Sequence, residues 1–261
     1  MDFKQASAAD VQKFNEDGYV IIRSLFDPEE MDLLITKARA DSKMLASAQD
    51  RLDDSGKAAK LAMWQEERDD LYGMFSRCPR IVDSMEKFLG GEVYHYHSKM
   101  SLKESKVGGA WEWHQDYGYW YTNGILFPYM ASCYIALDPA TKENGCLQVL
   151  KGSHHMGRIN HESGDQFAVD PERLEAAIKR FELVYCEMDS GDALFFHGNL
   201  LHASAANTSS NPRWGLICCY NAARNDPYKD SLYGARYTPL KKVADTAIKE
   251  VGRAAIAALK G

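Results

Sequence analysis

The sequence predicts a mainly β domain, a barrel of jelly-roll type with helices packed on one face. From Glu92 onward, short β-type segments are separated by turns of Gly, Pro, Asn and Asp, a pattern typical of sandwiches and barrels rather than βαβ units. The first third of the chain has helical spacing instead, and the chain ends in an amphipathic helical pattern. Its 261 residues suit one large all-β domain, so we predict a single domain over residues 1–261.

The N-terminal part, about residues 1–90, is predicted to begin with a helix, a strand and a second helix. Ser7 is a plausible N-cap for the first helix and Gly18 a stop signal. The β-branched run at 19–26 predicts a short strand. In the second helix, Asp27 is the expected cap and Pro28 the first helical residue, with acidic residues early and basic residues late.

Residues 41–60 are polar and rich in Gly, Ala and Ser, so we expect a mobile connection there. Helical spacing returns after it and stops at Gly90–Gly91. The barrel is then expected over about 91–225, interrupted by one helix at 170–183 that Asp170 caps. A last helix, about 239–260, is expected to pack on the outside. The predicted barrel strands lie within 92–103, 129–138, 145–154, 192–205 and 213–223.

Charge and composition exclude several classes of function. The net charge of −6 and the pI near 5.8 argue against binding to nucleic acid or to an anionic membrane. No apolar run approaches the roughly 20 residues that a membrane-spanning helix needs, and the first residues lack the pattern of a signal peptide. The six cysteines form no CxxC pair, so we expect a reduced, cytoplasmic enzyme.

One histidine of the eight is followed two residues later by an acid: His114 by Asp116. Chance readily produces one such pair, so the motif alone is weak evidence. On a strand, however, residues i and i+2 project from the same face about 7 Å apart. An imidazole and a carboxylate could then bind one cation. The eight histidines are His95, His97, His114, His154, His155, His161, His197 and His202.

A third ligand is expected from residues 190–216. A second histidine would complete the two-histidine, one-carboxylate set that leaves positions open on Fe(II). His197 and His202 are five residues apart and would face opposite ways on a regular strand, so only one can belong to the site. Arg213 follows in the sequence and could pair bidentately with a carboxylate. No metal role is expected for His95, His154, His155 or His161.

With these residues in place, the sequence resembles the phytanoyl-CoA dioxygenase family over most of its length. The stretches that carry the resemblance are WHQD, HGNLLHAS, NPRWG and NGCLQVLKGSH. The resemblance implies a double-stranded β-helix, or cupin-like barrel, that uses Fe(II), 2-oxoglutarate and O₂. It implies His114, Asp116 and His202 as metal ligands. It further implies that Arg213 pairs with the distal carboxylate of 2-oxoglutarate, assisted by Ser204.

Within that family, the chain looks most similar to bacterial hydroxylases of small metabolites, such as ectoine hydroxylase. The likeness implies that His97 and Ser101 help to hold 2-oxoglutarate, although amides are usual at both positions in that branch. It also implies Trp120 and Phe196 as aromatic walls of the substrate site. Either Lys103 or Lys99, with Lys103 favoured, and Arg224 are candidates to face an anionic group of the substrate. We interpret the nearby tyrosines as packing residues, namely Tyr117, Tyr119 and Tyr121.

The resemblance implies hydroxylation of an unactivated C–H bond, with 2-oxoglutarate converted to succinate and CO₂. Asp116 argues against halogenation, because family halogenases have a small residue in its place. The substrate expected is a small polar or charged metabolite of amino acid, betaine or phosphonate type. Three alternatives stay open: a desaturation, cyclisation or epimerisation outcome, a cupin-like metal enzyme without 2-oxoglutarate, and a non-catalytic binder of small molecules. Nothing in the sequence indicates the oligomeric state.

Overall fold

A computed structural model describes residues 3–160, 166, 168–232 and 234–259, so His161 lies outside the described residues. The described residues form eleven β-strands, most of them in the second half of the chain. They are β1 (Tyr19–Ile22), β2 (Gln49–Leu52), β3 (Ala58–Trp64), β4 (Val93–Lys103), β5 (Trp111–His114), β6 (Met130–Ala136), β7 (Leu147–Leu150), β8 (Leu183–Cys186), β9 (Ala193–His197), β10 (His202–Ser204) and β11 (Arg213–Ala222).

These strands form two antiparallel sheets. The larger sheet has the order β1-β9-β6-β11-β4-β3-β2, and the smaller has the order β5-β10-β7-β8. A buried cluster that includes Tyr134 and Phe196 of the larger sheet and Val149 and Cys186 of the smaller one fills the space between them. The other face of the larger sheet is covered by helices through a second, larger apolar core. This layout matches the predicted barrel with helices on one face.

The first two helices begin and end where their sequence signals predict. The helix α1 (Ala8–Asp17) starts with a capping box at Ser7 and ends at Gly18, whose φ of 81° is left-handed. The helix α2 (Pro28–Ala40) is capped in the same way by Asp27. Both predictions are confirmed.

The predicted mobile connection over 41–60 is wrong. This region contains the short helix α3 (Ser42–Ser47) and the β2–β3 hairpin at the edge of the larger sheet. The strand β3 pairs with β4 over Lys60–Trp64, and Ala59, Ala62 and Trp64 are buried. The pairing with a central strand therefore outweighs the polar composition, which reflects only the exposed side of an edge hairpin.

Helical spacing up to Gly90 is confirmed as two helices, α4 (Leu71–Arg77) and α5 (Pro79–Leu89). Three further helices follow in the chain. They are α6 (Asp116–Thr122), α7 (Pro171–Ile178) and α8 (Ala247–Ala258). The helix α7 is shorter than predicted because the last residue of the predicted range already begins β8, and α8 starts later than the predicted 239. No described helix combines the length and apolar character that crossing a membrane requires.

The segment 192–205, predicted as one strand, is two strands in different sheets. The strand β9 pairs with β1 and β6 in the larger sheet, whereas β10 pairs with β5 and β7 in the smaller one. Residues 198–201 connect them. The two histidines of this segment therefore lie on opposite sides of a crossover between the sheets, and only one of them pairs with the strand that carries His114.

Candidate active site

Three side chains predicted as metal ligands come together where β5 meets β10. His114 ends β5, Asp116 begins α6, and His202 begins β10 directly opposite His114 in the antiparallel register. The two imidazole centroids are 4.1 Å apart, and His114 Nε2 lies 3.8 Å from Asp116 Oδ1. One potential ligand atom from each residue lies within 4.8 Å of the others. Among the described residues, no other group of three or more His, Cys, Asp or Glu residues is arranged to hold a metal ion in this way.

Asp116 is not on a strand, as the sequence pattern suggested, but at the first position of α6. The chain turns from β5 into the helix at Gln115, whose buried side chain accepts from the Ile159 amide and donates to the Asn199 carbonyl. The convergence of His114 and Asp116 therefore depends on a strand-to-helix turn that buried Gln115 anchors, and not on the repeat of a strand.

Both histidines hold the tautomer that a metal ligand needs. His114 Nδ1 lies 2.6 Å from the carbonyl oxygen of Glu112, and His202 Nδ1 lies 2.9 Å from that of Leu200. A carbonyl only accepts, so each Nδ1 carries the proton and each Nε2 keeps its lone pair. Such a bond also fixes the orientation of a ligating ring.

Electrostatics keep the three ligands in their metal-binding protonation states. Burial, followed by the neighbouring His202, lowers the pKa of His114 to about 3, and burial also lowers the pKa of His202. For Asp116, burial alone raises the pKa, but the Lys99 ammonium and the nearby histidines outweigh it and hold the pKa well below its usual range. Two neutral imidazoles and a carboxylate suit a divalent transition metal with open positions.

A second polar cluster lies around Arg213, the first residue of β11. Its Nη1 donates to Tyr134 Oη at 2.9 Å, while its Nε is buried and has no partner among the described residues. A Cβ on Gly215 would lie 2.2 Å from the Tyr134 ring, so glycine is needed there for the tyrosine to reach Arg213. An arginine buried to 1% exposure without a carboxylate beside it is arranged for an incoming anion.

Lys103 lies opposite Arg213 in the β4–β11 register and joins the same cluster. Its Nζ donates to Ser204 Oγ at 2.8 Å and to the Ala205 carbonyl at 2.5 Å. Burial and the charge of Arg213 lower its pKa well below the usual range. Gly145, with a φ of 75°, lets the NGC turn pass close to the Ala205 carbonyl that Lys103 binds, because a Cβ there would lie 2.1 Å from that oxygen and 3.2 Å from Nζ. The cluster therefore contains two basic side chains.

The inward face of β4 links the two clusters. A β-bulge at Tyr96, where β4 pairs with Cys219 and Tyr220, shifts the alternation of the strand. From His97 onward, the odd-numbered residues face the site. Lys99 Nζ lies 3.5 Å from Asp116 Oδ1, and Ser101 lies between Lys99 and Lys103 along the strand. His97 is buried, and within the part of the chain that the structure describes neither of its ring nitrogens has a partner.

The two residues predicted as aromatic walls belong to different apolar clusters. Trp120 of α6 packs edge-on against His97, with ring centroids 6.0 Å apart. Phe196 of β9 lies behind His202 at 5.0 Å, within the core between the sheets. Tyr119, which sequence reasoning interpreted as packing, packs edge-on against His114 at 5.9 Å.

Arg224 is not brought to the site. Its guanidinium donates to the carbonyls of Leu89 and Gly90 at the end of α5 and lies over the Tyr129 ring. A cation commonly satisfies the last carbonyls of a helix in this way. His197 also lies apart from the three ligands, packed against His154, and its Nδ1 accepts from the Asn199 amide.

Comparison with known proteins decides the family. The family model described as phytanoyl-CoA dioxygenase (PhyH) matches residues 14–215. The chain belongs to the phytanoyl-CoA dioxygenase family. Its curated relatives include the L-proline trans-4-hydroxylase of Streptomyces griseoviridis, 30% identical over 193 residues that cover 67% of this chain and 72% of the relative. The ectoine dioxygenase of Bordetella parapertussis is 24% identical, with 85% and 78% covered.

Solved structures show the same fold. EctD from S. alaskensis, with 2-oxoglutarate and 5-hydroxyectoine, superposes with a TM-score of 0.78 at 22% identity and covers 92% of this chain and 88% of its own. The carbocyclase SnoK from nogalamycin biosynthesis gives a TM-score of 0.71 at 20% identity, with 91% and 93% covered. The predicted jelly-roll fold and the predicted class, a non-haem Fe(II) and 2-oxoglutarate-dependent dioxygenase, are confirmed.

Proposed function

We propose that this dioxygenase hydroxylates an unactivated C–H bond of a small metabolite that carries an anionic group, of amino acid, betaine or phosphonate type. Succinate and CO₂ are the coproducts. The observation that carries the proposal is the position of Lys99, whose ammonium lies 3.5 Å from Asp116 Oδ1. A cation beside the metal site can fix the substrate's anionic group there and so position a nearby C–H bond.

Lys99 stays charged in this position. Burial by itself lowers the pKa of Lys99, but the Asp116 carboxylate outweighs it and raises the pKa above the usual value. When the metal is bound, Asp116 shares its charge with the ion, so the ammonium is left to balance another anion. The relatives named above act on L-proline and on ectoine by name, and such compounds fit the proposed class.

His97 and Trp120 are proposed to form the wall beside Lys99. A buried imidazole with two unpartnered nitrogens costs about 1–3 kcal/mol for each unsatisfied group. A polar group of the substrate can remove part of this cost. We therefore assign His97 to the substrate side rather than to the cosubstrate side, on the basis of its contact with Trp120.

The other polar cluster is proposed to hold the distal carboxylate of 2-oxoglutarate. Arg213 and Lys103 supply the charge, and Tyr134 and Ser204 orient them. Lys103 is therefore assigned to the cosubstrate instead of the substrate. Ser101 lies between this cluster and Lys99 on β4 and keeps its proposed contact with 2-oxoglutarate.

Binding of 2-oxoglutarate should take up a proton through Lys103. The pKa of Lys103 is lowered in the free protein, and a carboxylate beside it raises that pKa again. At pH values between the two pKa values, up to about one proton is bound per 2-oxoglutarate, and affinity falls as pH rises. Calorimetry of 2-oxoglutarate binding to the Mn(II)-loaded protein, in buffers of different ionisation enthalpy, measures this uptake. Lys103→Met should abolish it, and a wild-type signal that does not depend on the buffer would contradict the assignment.

The proposed substrate class is tested by substrate-stimulated succinate formation over a panel of amino acids, betaines and phosphonates. With the best compound, Lys99→Met should raise the substrate KM by about tenfold or more, since hydrogen bonds to charged groups contribute about 1.5–3 kcal/mol, while the KM for 2-oxoglutarate stays within about twofold. Lys60→Met, an exposed lysine on β3, is the control. An unchanged substrate KM in the Lys99 variant would refute the role of Lys99.

The mass of the product separates hydroxylation from the other outcomes. Hydroxylation adds one oxygen atom, whereas desaturation or cyclisation removes two hydrogen atoms and epimerisation leaves the mass unchanged.

We also propose a reducing, cytoplasmic location, supported by six free and buried cysteines.

A further inference from the structure

The carboxylate of Asp116 has two oxygens in different surroundings. The Oδ1 atom faces His114 Nε2 and Lys99 Nζ, and so faces the metal position. The Oδ2 atom lies 3.1 Å from the Oγ atom of Ser132, which is completely buried on β6. Ser132 was in none of the predicted site sets, because one serine in a buried strand gives no sequence signal.

The direction of this hydrogen bond follows from chemistry. An ionised carboxylate only accepts, so the single hydroxyl proton of Ser132 is donated to Asp116. The serine oxygen then accepts from the other neighbour, the Cys219 Sγ atom at 3.2 Å. Ser132 and Cys219 are direct partners in the β6–β11 register. Burial, the largest cause, raises the pKa of the Cys219 thiol to about 12, so the thiol keeps its proton.

Hydrogen bonds therefore run from Cys219 to Ser132 and from Ser132 to Asp116. Ser132 and Cys219 lie on two central strands of the larger sheet, β6 and β11. This chain of hydrogen bonds holds one oxygen of Asp116, which begins the short helix α6 after β5 of the smaller sheet. Rotation of the carboxylate would bring both oxygens toward the metal position and would break the bond from Ser132. Buried polar networks of this kind fix a single arrangement when every member is satisfied.

We propose that Ser132 is a positioning residue that restricts Asp116 to one metal bond. His114, Asp116 and His202 would hold a divalent metal with other positions open for a keto acid and O₂. A second bond from Asp116 would compete with O₂ for one of these positions. The inference rests on the metal site of the proposed function, but not on the proposed substrate.

The experiment uses nitric oxide as a probe for the O₂ position. The Fe(II)-loaded protein with 2-oxoglutarate is titrated with nitric oxide without air, and the paramagnetic adduct is counted by EPR. Ser132→Ala should weaken nitric oxide binding about 10- to 100-fold, the range typical when an outer partner of a metal ligand is lost. The affinity for 2-oxoglutarate should stay within about threefold. Ser132→Thr, which keeps the hydroxyl, should restore nitric oxide binding.

Ser84→Ala is the matched control, since Ser84 is a completely buried serine of α5 whose Oγ accepts from the Ala6 amide and donates to the Arg80 carbonyl. Cys219→Ala removes only the outer donor and should weaken nitric oxide binding less than Ser132→Ala does. Unchanged nitric oxide affinity in a folded Ser132→Ala protein would overturn the proposal. So would an equal loss in Ser132→Ala and Ser132→Thr, because it would show that packing alone matters. No substrate is present, so failure of the proposed substrate class would not alter this result.

Discussion

Asp116→Ala and His114→Ala should each give a folded protein that has lost iron-dependent turnover. Each change removes one of three metal donors, and the remaining two cannot hold Fe(II) against competition from water. We expect metal affinity to fall by more than the roughly 10- to 100-fold that is typical of losing an outer partner. Succinate formation should fall below detection. Calorimetric titration with Mn(II), together with succinate release in the presence of Fe(II), measures both effects.

The fold should survive these changes because the two largest apolar clusters, which pack the sheets and helices together, are formed by other residues. Removal of the Asp116 carboxylate leaves Lys99 without its partner, so we expect a lower melting temperature for that variant, but a cooperative transition. His155→Ala and Asp50→Ala, both at exposed positions, are the controls and should keep full activity. Full activity in either the His114 or the Asp116 variant would disprove the metal assignment.

The metal ligands could be predicted because residue chemistry and sequence motif agree on them. The two sheets then place His114 and His202 opposite each other in register, which no local pattern reveals. The position of Asp116 shows the limit of periodicity. The run WEWHQDYGYW fits a strand, yet α6 begins at Asp116, because Gln115 is anchored by loop residues more than 40 positions away in the sequence.

The roles of the cations could be predicted only in part. Alternation along β4 could have placed Lys99 and Lys103 on one face, but not which anion each would meet. That depends on the neighbouring strand, where Arg213 stands beside Lys103, and on α6, where Asp116 stands beside Lys99. Arg224 was a poor candidate for a reason absent from its own sequence neighbourhood, namely the free carbonyls at the end of α5.

The region 41–60 illustrates a related limit. Its polar composition predicts a loop, because it combines the residues of an exposed strand with those of a partly buried strand. In the structure, the edge strand β2 is exposed throughout, while β3 buries several residues and pairs with β4. The strand β3 gains its backbone partners from a strand about 40 residues further along the chain, and such pairing lies beyond local propensity.

Arg213→Ala should raise the KM for 2-oxoglutarate sharply while leaving metal affinity near that of the wild type. Truncation of one partner in a buried, hydrogen-bonded charge pair costs about 2–4 kcal/mol, which corresponds to roughly 30- to 700-fold in affinity. Lys103 remains in the cluster and can still bind the carboxylate, which limits the loss of affinity for 2-oxoglutarate. Arg213→Lys should recover only part of the affinity, because an ammonium cannot reproduce the two parallel bonds of a guanidinium.

Binding of two smaller ligands, glutarate and oxalate, shows which part of the cosubstrate site the Arg213→Ala change affects. Glutarate has the distal carboxylate of 2-oxoglutarate but lacks the keto oxygen, so its binding should weaken in Arg213→Ala by a factor similar to that for 2-oxoglutarate. Oxalate can chelate the metal but is too short to reach β11, so its affinity should not change. Arg39→Ala is the control for packing beside β11, since Arg39 pairs with Asp138, which accepts from the Trp214 amide. An unchanged KM in Arg213→Ala would show that the distal carboxylate is held elsewhere, and equal losses for oxalate and glutarate would show that the variant damages the metal site instead.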